Sequence, residues 1–82
     1  MSAQASHEWI RLTGTPVGRR VHVADFGEDI DPLQREQLRA SGLSAPHTVQ
    51  VLQQQPMTVI LCDHVEIALE HAVARHIWVM AD

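Results

Sequence analysis

The chain has 82 residues, a formal net charge of -4 and 45% apolar residues, enough for one small core and too little for a multi-domain enzyme, since single domains run to roughly 50 to 200 residues. All six permanent cations are arginines, so the basic stripe that phosphate-backbone binding requires is missing, and anionic headgroups would repel the same acidic balance. Residues 1–6 lack a basic start and apolar core, no stretch reaches the roughly 20 apolar residues of a bilayer span, and Cys62 has no second cysteine to pair with; the expectation is a cytoplasmic protein with no nucleic-acid partner and no membrane insertion.

Residues 1–8 are small and polar and are expected to form a flexible end, leaving 9–82 as a single domain. Trp9, Ile10 and Leu12 bring apolar mass to tack the N-terminus onto the core, and Thr13-Gly14-Thr15-Pro16 then turns the chain. Arg19 to Phe26 alternates as a strand, with Val21 and Val23 on one face and Arg20 and His22 on the other. After Gly27 to Asp29, Asp31 opens a short helix over about 31–41. Its carboxylate can accept from free backbone amides, Pro32 sacrifices no needed donor at the first helical position, and Gln34 completes an Asp-x-x-Gln capping box. Leu33 and Leu38 give this helix a thin apolar stripe, and Gly42 suits a left-handed cap at its end.

Thr48 to Gln53 and Met57 to Cys62 alternate as two strands of a hairpin around Gln54-Gln55-Pro56, and Val65 to Leu69 follows the tight turn Asp63-His64. Residues 70–75 leave room for about one helical turn, and Ile77-Trp78-Val79 forms the last strand, with Ile77 and Val79 facing one way and Trp78 the other. Trp78 is expected to pack against Trp9. Several short strands with brief turns favour a small closed barrel, because closure removes edges that would pair with other chains.

Imidazole, thiolate and carboxylate are the usual transition-metal ligands, which makes Cys62, His64, His71 and His76 the metal candidates. The turn between Cys62 and His64 leaves their relative direction open, and two ligands fall short of the four of structural zinc. His71 and His76 are five apart, off the spacing that sets two ligands on one helix face. Cysteine at a strand end is more often a small buried residue. The expectation is therefore no required cofactor, with adventitious zinc, nickel or iron on surface histidines. No phosphate-binding Gly-x-x-x-x-Gly-Lys loop occurs, and Cys62 with His64 has no visible oxyanion hole, so no enzyme is expected.

Pro16-Val17-Gly18, the helix end Leu38 with Gly42-Leu43, and Ile67-Ala68-Leu69 occur in an order and spacing that resembles the FeoA family over roughly Leu12 to the end. Gln37 and Ser41 stand where that family usually has arginine and leucine, and Ala45-Pro46-His47 stands where it usually has Pro-Gly. The resemblance implies a mainly β, small SH3-like barrel, a module that also forms the C-terminal domain of DtxR-type repressors. It further implies an accessory role in ferrous-iron uptake through contact with the membrane transporter FeoB, with Leu33, Leu38, Leu43 and Trp78 as the contact positions. Two alternatives stand beside it: a metal-binding or metal-buffering protein using Cys62 and the histidines, and a regulatory SH3-like domain. Exposed strand edges and surface histidines also permit a weak homo-oligomer.

Overall fold

A computed structural model describes residues 9–43 and 47–81; the end expected to be flexible, residues 1–8, and the Ala45-Pro46 pair lie outside the described residues. The strands are β1 (Ile10–Arg11), β2 (Arg20–Phe26), β3 (Thr48–Gln53), β4 (Thr58–Cys62), β5 (Val65–Leu69) and β6 (Ile77–Ala81). Two helices, α1 (Pro32–Ala40) and α2 (His71–Ala74), and a 3-10 turn over Leu12–Gly14 complete the described elements. All strand pairs are antiparallel, in the order β1-β6-β2-β3-β4-β5.

Period-2 alternation fixes the inner face. Val21 and Val23 of β2, Val49 and Val51 of β3, Ile60 and Cys62 of β4, Ile67 and Leu69 of β5, and Ile77 and Val79 of β6 are buried together with Leu12, Ile30, Leu38, Leu43 and Ala74. The closed barrel expected from sequence is corrected here: the described strands make one sheet with two ends, β1 and β5, which do not pair with each other. Among the described residues β1 spans only two positions, and α1 shares a groove with Ile67 and Leu69 of β5.

The helix lies one residue inside its expected span at each end. Asp31 Oδ1 accepts from the Leu33 amide at 3.0 Å, Pro32 opens the first turn, and no return bond from Gln34 accompanies this cap. The other end is a full Schellman motif: the Leu43 amide donates to the Leu38 carbonyl at 3.0 Å and the Gly42 amide to the Arg39 carbonyl at 3.0 Å. Gly42 has φ +96°, which glycine adopts without Cβ strain. Leu38 and Leu43, the pair such a motif brings into apolar contact, are both buried. At Gly27 the constraint is spatial, because an added Cβ would stand 2.9 Å from the His76 carbonyl oxygen. The Gly27 amide donates to that same oxygen at 2.7 Å, joining the end of β2 to the residue before β6.

Leu43→Ala should lower unfolding stability by about 2–5 kcal/mol through cavity formation. Gly42→Ala, with open space around its Cβ, should cost only about 1 kcal/mol of backbone strain. Urea midpoints of the two variants test that order.

Candidate functional site

Two surfaces bring chemistry-bearing or apolar side chains together. The first is a groove of ≈ 380 Å³ between α1, β5 and α2. Leu38, Met57, Ile67, Leu69 and Val73 supply its apolar lining, and Gln34, Gln37 and Ser41 of the α1 face, with Glu70, supply its polar lining. One residue fixes its far wall. Gln54, just past β3, donates its side-chain amide to the Leu12 carbonyl at 3.0 Å and the Thr15 carbonyl at 2.8 Å, and accepts from the buried Thr58 hydroxyl at 2.8 Å. Its own carbonyl lies 2.7 Å from His71 Nε2, so the start of α2 is pinned beside Met57.

The contact positions expected from sequence separate on this frame. Leu33 is 65% exposed in the first turn of α1, one turn before the groove-lining Gln37. Leu43 is 0% exposed and Leu38 only 6%, because the Schellman cap turns both inward; Leu38 meets the groove as floor, and Leu43 offers no surface. Trp78 points outward from β6 and is half-buried, and an arginine covers its ring. The Arg11 guanidinium sits 4.6 Å over the Trp78 ring, held there by a 2.7 Å bond from Nη1 to the Arg75 carbonyl, while Trp9 stays 48% exposed. Arg11 and Trp78 are directly paired across β1 and β6, which sets the guanidinium over the face of the indole, where the ring quadrupole attracts a cation.

The second surface is a corner where β3 begins and β4 ends. Ligand atoms of His47, Cys62 and Asp63 all lie within 4.8 Å of one another. His47 Nε2 is 3.5 Å from Asp63 Oδ2, with the side chains 38% and 76% exposed. Cys62 is buried beneath them and its thiol donates to the Gly42 carbonyl at 3.7 Å. Burial, and after it the negative charge of Asp63, pushes the Cys62 thiol above its ordinary pKa. His64 stands exposed in the two-residue turn after Cys62, where Asp63 takes φ +58°. His71 is committed to Gln54, and His76 accepts from Arg75 Nε at 3.4 Å. The structure thus gathers Cys62 with His47 and Asp63, and among the described residues not with His71 or His76.

His47 was invisible as a partner because it lies 15 positions before Cys62. The signal that places it is a bulge: pairing Gln53 with Val59 becomes pairing of Val51 with Ile60, so Val49 meets Cys62. Carried on without that shift, Val49 would face Asp63, and His47 would lie one position further from the thiol.

The FeoA domain model matches residues 10–81 of the chain. Among solved structures, the chain is similar to an iron uptake regulatory protein (FeoA), with 24% identity, 89% of this chain and 96% of that one covered, and a TM-score of 0.74. It is similar to FeoA from Chlorobium tepidum at 21% identity, covering 88% and 70%, with a TM-score of 0.81. It also resembles IdeR of T. acidophilum at 18% identity, covering 90% of this chain but 34% of that one, with a TM-score of 0.81. At these identities the structural likeness is one of fold. No curated protein matches the chain.

Alkylation of Cys62 should be slow at neutral pH and should accelerate as pH rises beyond the ordinary thiol pKa of about 8.5, because only the thiolate reacts. Removing the neighbouring charge with Asp63→Asn should raise the rate at fixed pH by about two- to fivefold, the scale of one exposed charge. It should not reach the rate of free cysteine, since burial remains; iodoacetamide kinetics across pH measure both effects.

Proposed function

The chain belongs to the FeoA-domain family, and from that premise we propose that it is a cytoplasmic accessory protein of ferrous-iron uptake that acts by contact with a FeoB-type transporter. The action is modulation through docking, without catalysis by this chain. No helix among the described residues is long and apolar enough to cross a membrane, so on this reading the iron path belongs to the transporter.

The observation that carries the proposal is the groove between α1, β5 and α2. Its floor is apolar, its rim is polar, and both walls are fixed before a partner arrives: α1 by caps at its two ends, and α2 by the bond between His71 and Gln54. A preformed groove avoids much of the ordering cost of association. Leu33 extends the α1 rim by one turn and supplies an exposed apolar anchor. Beside the groove runs β5, whose outer edge has no strand partner among the described residues; such an edge offers amides and carbonyls to an added segment. A transporter segment that lays an apolar side chain into the groove and pairs along β5 would use both.

The likeness to IdeR over 90% of this chain favours a second reading, a regulatory domain that contacts another protein domain. A net charge of -4 places any DNA contact in that partner rather than in this chain.

Cells lacking the protein should lose radiolabelled ferrous-iron uptake under anaerobic, low-iron conditions, and the wild-type chain should restore it. Leu33→Glu and Gln37→Arg, both on the exposed side of α1, should fold normally yet weaken binding to purified transporter by about tenfold or more, the effect of losing one anchor worth at least ~1.4 kcal/mol. Unchanged uptake in the deleted cells would sink the accessory reading; altered transcription of iron-responsive genes in the same cells would select the regulatory one.

A further inference from the structure

We propose that His47, Cys62 and Asp63 form a binding site for a borderline divalent transition-metal ion of the zinc type. The three side chains present an imidazole nitrogen, a thiol sulfur and a carboxylate oxygen, each within 4.8 Å of the others. Zinc bonds of about 2.0–2.3 Å in tetrahedral geometry set ligand atoms roughly 3.3–3.8 Å apart. The 3.5 Å separation of His47 Nε2 from Asp63 Oδ2 already has that spacing, and the Cys62 sulfur lies within 4.8 Å of a ligand atom of each.

The donor set selects the ion. One sulfur, one nitrogen and one oxygen suit zinc or cobalt and are poor for magnesium or calcium, which prefer all-oxygen shells. Three protein ligands leave a fourth position open. His47 and Asp63 also line a surface cavity of ≈ 470 Å³, so solvent reaches two of the three ligands and water can complete the shell. His47 and Asp63 are the two accessible ligands, and Cys62 is the buried one. The Gly42 carbonyl that accepts the thiol proton in the metal-free arrangement is 3.7 Å away. On binding, the Cys62 S–H bond breaks, the sulfur lone pair goes to the cation, and the proton leaves to solvent.

The consequence is a cross-link between the start of β3 and the β4–β5 turn. The His47 carbonyl accepts from the Val23 amide at 2.8 Å, so the same residue that would hold the metal also ties β3 to β2. This site is separate from the docking groove and stands or falls independently of it.

Anaerobic titration of the full chain with Co2+, followed by absorbance, tests the assignment. Saturation at one ion per chain is expected, with a sulfur-to-cobalt charge-transfer band in the near ultraviolet that Zn2+ abolishes by displacement. Cys62→Ser should remove the band. Loss of an outer-shell partner already costs a metal site about 10–100-fold, so His47→Gln and Asp63→Asn should each weaken binding by about tenfold or more. His71→Gln, outside the cluster, should leave the band and affinity unchanged. Cobalt binding without a sulfur band, or a band unaltered in both His47→Gln and Asp63→Asn, would overturn the site. Because His47 and Asp63 lie at the surface, those two variants decide the matter even if Cys62→Ser fails to fold.

Discussion

The fold depends on β6 inserting between β1 and β2. β6 pairs with both β1 and β2, so among the described residues β1, far earlier in the sequence, joins the sheet through it. Ile77 and Val79, both at 0% exposure, bring the apolar inner face of β6 against Val21 and Val23. The contact closes a loop of more than 50 residues between β2 and β6, and although loop entropy grows only logarithmically, it is charged before the buried surface returns it. The bond from the Gly27 amide to the His76 carbonyl marks where the two strands are brought into register, and only glycine allows that approach.

Around that pairing, a few polar bonds set where the surfaces stand. Gln54 connects the 3-10 turn, the first residue of β4 and the first residue of α2 through its own side chain and carbonyl. Each bond satisfies a backbone or hydroxyl group near the core that would otherwise lose water without compensation. A residue in an exposed-looking Gln-Gln-Pro turn is therefore what holds the groove wall. Arg11 plays a similar part at the opposite edge of the sheet, stacking over Trp78 while it satisfies the Arg75 carbonyl.

The two surfaces of interest share one helix. The α1 face that lines the groove ends in the cap whose Gly42 carbonyl accepts the Cys62 thiol. Cys62 is buried, and burial followed by the Asp63 charge pushes its thiol above the ordinary pKa. A buried cysteine of this kind packs as a small apolar residue, and it is in the core here; packing and ligation are compatible because the sulfur lies at the end of β4, where the core meets the surface.

How much was legible from sequence follows from the range of the interactions involved. Alternation in β2, β3, β4 and β6, the Asp31-Pro32 start and Gly42 stop of α1, and the one-turn α2 are all local effects of side-chain period and backbone freedom, and the residues declare them without help. The order Pro16 to Leu69 likewise carried the family. What the sequence could not decide is long-range. Whether the sheet closes depends on β1 and β5 meeting, and among the described residues they do not. Whether Leu38 and Leu43 face a partner or the core depends on the sense of the turn at Gly42. Whether Cys62 has companions depends on one bulge in β3, which slides His47 into reach. The sequence alone determined the elements and the family, because their causes lie within a few residues of one another; only the tertiary structure decided the surfaces, because a side chain's neighbours are set by register and turn direction summed over the whole sheet.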